Sequence, residues 1–489
     1  MSAVAEGTAP PPSRPGRSAL SLGLSHLAAR GPAVPVVVTV LLLCVPAGSA
    51  GPGALPGVTP ADVCSGVLVV WCAVRLLRRS PPRRATGRPA PRALTPLAVL
   101  VLGAPATAFA VTTAASADPA ASLPGFVRYL QLFVLVPGAV LLSLRDARDA
   151  RLVCGAVVLL ALIEGGVGVV QACTGTGASY QGEHVRAVGT FGALDVMGMA
   201  TAVSYGLVTA LACGLNPPQG AGRWLRPCAL GCAVALVVPL ALSYSRGAWI
   251  ATASACLLLL ALRGVRTTVC ALAAVLATGV VLVGGLGVAT QELTQRARSI
   301  TEVSDSPDRS VTDRYTLWGA AADIWRESPA TGVGPKGFPE HRDAHAALEL
   351  SSGSDTAGAG VPFQREPLLS PHNMYLLVLS EQGLVGTVAL VGSWGALLVC
   401  GLRRLRDARR GGFTRRAVDC GAVATGLLVW QGVDFLYGDI GGPSTVLTAL
   451  VLGVAAWWAL SPDAGAETAG LHTDRRLGPV REPDRSPAR

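Results

Sequence analysis

The chain has 489 residues, 51% hydrophobic and 14% charged, with a mean hydropathy of +0.49 and a formal net charge of +10. That is too apolar for a soluble domain that must cover itself with charge, and no basic face on a folded soluble domain is visible to make the charge a nucleic-acid footprint. What remains is a polytopic membrane protein whose excess positive charge reflects orientation in the bilayer.

In chain order, residues 1–32 are rich in Pro, Ser and Arg and read as a disordered basic tail. Apolar stretches of spanning length, about 20 residues each, follow near 33–50, 58–77, 94–113, 124–144, 152–172, 191–213, 227–245, 247–262 and 268–289. After a long polar interval come three more, near 374–402, 417–436 and 443–460. The fold class expected is all-α, with about twelve transmembrane helices. Its divisions are a cytoplasmic tail over 1–32, transmembrane helices over 33–289, one large extracytoplasmic loop with short surface helices over 290–371, transmembrane helices over 372–460, and a disordered cytoplasmic tail over 461–489. Residues 34–50 could instead be a signal-peptide core, since Gly48 and Ala50 resemble a small-residue cleavage site. The tail before them is long for such a leader, and an uncleaved first span is preferred.

All but one of the 40 Lys and Arg residues are Arg. Most lie in the two tails and in the short loops at 75–92, 145–151, 223–226, 263–266 and 403–416, which puts both termini in the cytoplasm and the long interval outside. The 12 cysteines lie almost wholly in apolar segments, so no disulfide framework staples that interval. Cys228 and Cys232, at i, i+4 spacing without a His or Asp partner, read as small core residues.

Inside the interval, residues 312–325 carry apolar positions at helical spacing, with Thr312 or Asp313 able to cap the start. A short amphipathic helix on the outer face is predicted, ended by Pro329 and the glycines at 332, 334 and 337. Residues 351–360 read as a flexible loop.

Arg246 falls where two spans meet without room for a loop, so its guanidinium sits at the outer boundary. It either snorkels to headgroup phosphates or clamps a diphosphate, because a planar guanidinium can hold two phosphate oxygens. Arg186, before Gly189-Thr190-Phe191, and Arg314, at the start of the surface helix, are further outward cations. For Arg314 the plainer alternative is a solvated residue pairing with Asp313 or Asp308. His372 stands at the mouth of a span, either capping the helix or acting as a general base on a hydroxyl. Asp434 and Asp439 lie far from it in sequence and read as interface residues. No H-E-x-x-H, no Gly-rich phosphate loop ending in Lys-Ser/Thr and no G-x-S-x-G occurs, which leaves zinc hydrolase, cytosolic NTPase and serine hydrolase unsupported.

The run Arg186, Gly189-Thr190-Phe191, Ser245-Arg246-Gly247-Ala248, Arg314, Trp318, Pro329, Gly332-Val333-Gly334 and His372-Asn373 with Gly383 and Gly386 resembles the O-antigen ligase / O-antigen polymerase superfamily over residues 180–400. The resemblance implies an inverting, metal-independent membrane glycosyltransferase, without a cofactor. It would take a glycan from a polyprenyl diphosphate carrier and pass it to a glycan, lipid or protein hydroxyl on the outer face. By the same resemblance His372 and Arg314 are catalytic, and Arg246, Arg186 and Asn373 bind substrate. Asp195 stands where such proteins often carry Asn, which puts any donor contact there in question. A transporter or flippase for an anionic or lipid-linked substrate is the alternative. It would need charges through several mid-span positions, and only Glu164 and Glu381 lie well inside a span.

Overall fold

The computed structural model describes residues 31–46, 59–78, 94–178, 186–218, 220–280, 309–346, 350, 368–410, 417–462 and 464. Most of both tails, the stretch 281–308 and the loop expected at 351–360 lie outside the described residues.

The helices in order are α1 (Val34–Leu42), α2 (Pro60–Leu77), α3 (Pro96–Ala114), α4 (Pro119–Ser143), α5 (Ala147–Thr174), α6 (Gly198–Leu215), α7 (Leu225–Leu242), α8 (Arg246–Arg263) and α9 (Val265–Val280). They continue with α10 (Arg309–Glu327), α11 (Phe338–His345), α12 (Met374–Arg409), α13 (Val418–Asp434) and α14 (Ser444–Leu460). Among the described residues the fold is all-helical, apart from a single antiparallel bridge between Ala178 and Arg186. Eight helices, α2 to α8 and α12, are long and apolar enough to cross a membrane, and α14 is a shorter apolar helix. Among the described residues these eight fall short of the expected count because α1 has 9 residues, α9 has 16, and α13 and α14 have 17 each.

Local chemistry sets the helix starts. Thr59, Thr95, Asp118, Asp146, Ser245 and Asn373 each accept a first-turn N–H with a side-chain oxygen, and Pro at the first helical position follows the first three, where its missing N–H costs nothing. The surface helix departs from the sequence reading. It begins at Arg309 rather than at a Thr312 or Asp313 cap, so Arg314 lies within α10 and not at its start.

Helices approach closely through glycines. A Cβ on Gly206 would meet Ala161 Cβ at 2.1 Å, one on Gly421 would meet Trp458 at 2.4 Å, and one on Gly453 would meet Val140 at 2.5 Å. Small residues suit a medium in which lipid tails are as apolar as side chains and packing must supply the association. Buried polar side chains cross-link the centre: Trp430 Nε1 donates to Thr252 Oγ1 at 2.9 Å and Thr252 Oγ1 to Ser204 Oγ at 3.0 Å, joining α13, α8 and α6. At the end away from His372, Arg151 grips Asp419 with two bonds of 2.6 and 3.1 Å. Cys228 is exposed and Cys232 half-buried, so the expected core pair lies on the outside of α7.

Candidate active site

The start of α12 is built onto the connection between α13 and α14. Asn373 Oδ1 accepts the N–H groups of Tyr375 and Leu376 at 3.0 and 3.1 Å, while its Nδ2 donates to the Leu436 carbonyl at 3.1 Å. The Met374 N–H reaches the carbonyls of Phe435 and Gly438 at 2.9 and 3.0 Å. Asn373, expected to touch substrate, is therefore engaged with backbone as cap and strut. His372 is not the cap. It sits one residue earlier with φ of +50°, a left-handed conformation that costs a residue bearing a Cβ about 1–3 kcal/mol and tends to survive at working sites.

Contacts on both sides hold that conformation. Trp318 Nε1 of α10 donates to the Pro371 carbonyl at 2.9 Å. The His372 N–H and the Ser370 hydroxyl donate to the Asp439 carboxylate, whose Oδ2 is nevertheless buried without a hydrogen-bond partner. Burial pushes the His372 imidazole below its usual value; Asp439 pulls it back up, and Arg314 presses it further down. Burial likewise pushes the Asp439 carboxyl up, against the opposing pull of His372, its hydrogen bonds and Arg314. A neutral imidazole that faces a carboxylate and a guanidinium can take a proton from a hydroxyl near neutral pH. Arg314 lies one helical turn from Trp318, and so on the face of α10 that meets His372. Asp434, the last residue of α13, interacts with both Arg314 and Asp439.

The reading of Asp439 as a mere interface residue is thus corrected: the tertiary fold sets it against His372. Sequence spacing held no signal for this, because 67 positions separate the two. A weak one existed in composition, since Asp439 stands among glycines in Gly438-Asp439-Ile440-Gly441-Gly442, a turn between two apolar helices.

Arg246 is the first residue of α8, following a turn in which Tyr244 also has φ of +50°. Its neighbour Gly247 lies so near Tyr437 that a Cβ would meet Tyr437 Cβ at 2.8 Å, which brings the start of α8 to the same 435–443 connection. Arg186 reaches this end indirectly: the Ala187 N–H donates to the Leu242 carbonyl at 3.3 Å, next to the α7–α8 turn. Structure thus gathers His372, Arg314 and Asp439 directly, and draws Arg246 and Arg186 toward them through the backbone.

Two glycine turns flank this centre, one held by a buried carboxylate and the other by the backbone of a broken helix. Glu164 of α5 accepts the Thr190 N–H at 2.8 Å and the Thr190 hydroxyl at 2.7 Å. Gln171, two turns on, accepts the N–H groups of Val188 and Gly189 at 3.0 and 2.9 Å. The short helix Gly189–Asp195 follows, and Asp195 Oδ2 accepts the Ser444 N–H at 2.8 Å at the start of α14. Burial raises the Asp195 carboxyl to about 6 in spite of that bond.

The second turn fills a break in α12. Gly383, with φ +59° and ψ −162°, interrupts the helix, so Leu384 and Val385 cannot donate to Ser380 and Glu381 as an α-helix requires. They donate instead to Pro329 and Ala330 at 2.9 and 3.1 Å, and the Ser380 and Glu381 carbonyls accept Val333 N–H and Gly334 N–H at 3.1 and 2.8 Å. The Gly332-Val333-Gly334 turn replaces the lost helical bonds donor for donor. The Glu381 carboxylate accepts the Tyr129 hydroxyl at 2.9 Å. Both mid-span glutamates are therefore committed to packing turns and helices, where a transport path would want them facing a substrate. Among the described residues no group of three or more His, Cys, Asp or Glu side chains could hold a metal ion.

Fold and site together define a polytopic all-α membrane protein with a histidine, a carboxylate and cationic side chains gathered at one end of the bundle. A family model described as O-antigen ligase matches residues 231–391, from within α7 to the middle of α12. The match supports the resemblance to the O-antigen ligase / O-antigen polymerase superfamily and, with it, a membrane glycosyltransferase-like function. Arg246, Arg314, His372 and the α12 break fall inside the match, whereas Arg186, Asp195 and Asp439 fall outside it. No curated protein matches the chain.

Proposed function

We propose that the protein transfers a glycan from a polyprenyl diphosphate carrier to a glycan, lipid or protein hydroxyl on the outer face of the membrane, inverting the sugar and using no metal. The observation that carries this reading is the placement of His372, strained and half-buried, between Asp439 and Arg314. His372 takes the proton of the acceptor hydroxyl as its oxygen bonds to the anomeric carbon from the side opposite the carrier. The bond to the diphosphate oxygen breaks, and the carrier diphosphate leaves with the electron pair. Arg314 and Arg246 stabilise that charge, with Arg186 assisting; guanidinium hydrogen bonds aimed at a leaving anion can do this without a cation cofactor. Asn373 fixes the position of His372.

The outer-face assignment rests on arginine placement, with both termini in the cytoplasm and residues 290–371 outside. Loss of a general base costs about two to four orders of magnitude in rate. His372→Ala is therefore expected to abolish transfer by purified protein while lipid-linked donor still binds, and Arg246→Ala to weaken both. Near-normal transfer by a well-inserted His372→Ala protein overturns the assignment. Transfer that stops in excess chelator and returns with magnesium or manganese overturns metal independence. In a deletion strain, shortened surface glycans mark a polymerase, and accumulation of full-length lipid-linked glycan marks a ligase.

A further inference from the structure

The end of the bundle opposite His372 carries a cationic site that the transfer reaction does not use. Helix α8 has 18 residues, about 27 Å at 1.5 Å per residue, just enough for a hydrocarbon core of about 30 Å. With Arg246 at one boundary, Arg263 at its last position lies at the other. Helix α12 has 36 residues, about 54 Å, and runs past that same boundary. There Arg409 donates through Nη1 to the Leu262 carbonyl, capping α8.

An arginine at a helix C-terminus is by itself an ordinary cap that complements the helix dipole. Two further observations go beyond a cap. The Arg409 Nη2 is buried with no hydrogen-bond partner, a state that leaves a charged donor desolvated and uncompensated. The exposed Arg263 guanidinium lies near enough to repel it, and among the described residues neither arginine forms an ion pair. Gly264, with φ of +134°, then lets the chain turn at once into α9. Exposed Arg266 is the second residue of that helix, whose first N–H groups have no helical acceptor.

We infer that Arg263 and Arg409, at the α8–α9 junction, bind the headgroup phosphate of an anionic phospholipid. A phosphate oxygen satisfies the idle Nη2, and a net negative headgroup relieves the repulsion between the guanidiniums. A choline headgroup would add a third positive charge. The depth of the site, level with the end of a helix that just crosses the hydrocarbon, favours a lipid over an anion from solution.

The full-length protein is extracted in mild detergent, and retained lipid is measured by native mass spectrometry against added phosphatidylglycerol and phosphatidylcholine. Phosphatidylglycerol is expected to be retained preferentially. Loss of each cation at an anionic surface is worth roughly 1 kcal/mol, a fall of about fivefold. Arg263→Gln, which removes one cation, is expected to lower retention by that factor, and Arg409→Lys, which keeps the charge and a donor for Leu262 but lacks the second amino arm, to lower it by a smaller factor, whereas Arg326→Gln on α10, paired with Asp323, leaves it unchanged. Equal retention of the two lipids, or wild-type retention in Arg409→Lys and Arg263→Gln, overturns the inference. Displacement of the lipid by excess inorganic phosphate reassigns the site to a soluble anion and also overturns it.

Discussion

Three of the carboxylates set among apolar helices, Glu164, Glu381 and Asp439, fall into two groups. Glu164 and Glu381, inside α5 and α12, have donors on both sides of the problem: Thr190 through backbone and hydroxyl, and Tyr129 through its phenol. Asp439, in a loop, keeps Oδ2 buried and without a partner beside a histidine in a strained conformation. Depth in the membrane therefore does not mark the chemical group. A buried charge whose hydrogen-bonding capacity is filled serves the fold, and one left partly open beside a second titratable group is poised for proton transfer.

The harshest test of this contrast removes the break that Glu381 borders. A Cβ on Gly383 would meet the Ala330 carbonyl carbon at 2.4 Å in a backbone conformation of +59°. Gly383→Ala should cost more than the roughly 1–3 kcal/mol of backbone strain alone, read as a large fall in thermal midpoint in detergent or failure to accumulate in membranes. A Gly383→Ala protein as stable as wild type would show that the Gly332–Gly334 turn does not depend on the break.

Next in size, Asp439→Asn should lower transfer by about one to two orders of magnitude, less than loss of the base itself, without lowering thermal stability. The pH profile carries the sign. Asp439 raises the His372 value and Arg314 lowers it, and the base works only when deprotonated. Removing Asp439 therefore moves the acidic limb of the rate profile to lower pH, and Arg314→Gln moves it to higher pH. Shifts in the same direction for both variants would disprove the arrangement.

Glu164→Gln should show the opposite division. It keeps one acceptor for Thr190 and loses a charged one, worth roughly 1.5–3 kcal/mol, so stability should fall while correctly folded protein retains most of its activity. If Glu164→Gln instead removes activity at unchanged stability, the division between structural and chemical acids fails.

The smallest expected effect is at Asp195. Its folded carboxyl is raised from 3.8 to about 6, so the folded state holds a proton that the unfolded state has released between those values. Its contribution is present below pH 3.8 and is lost as pH rises to about 6. Asp195→Asn keeps an acceptor for Ser444 N–H and stays neutral. It should raise the melting temperature at pH 8, corresponding to roughly 1–3 kcal/mol, with little change below the window. Loss of stability at pH 8 would show that the ionised form is needed.

The sequence alone determined the class, the helical architecture and most of the charged groups. Runs of apolar residues, N-capping side chains and the placement of arginines act locally or over one span, and their physics is legible one segment at a time. Arg246 at a span junction, His372 at a span mouth and the glycines of the 332–334 turn were visible for that reason. Tertiary structure decided what these groups meet. That Asp439 faces His372 depends on α13 and α14 packing beside α12, that Asn373 is occupied depends on the Leu436 carbonyl, and that Gly383 is filled by a distant turn depends on two segments matching donor to acceptor. Such pairings follow from the meeting of surfaces whose residues lie up to several helices apart, and no periodicity within either segment encodes them.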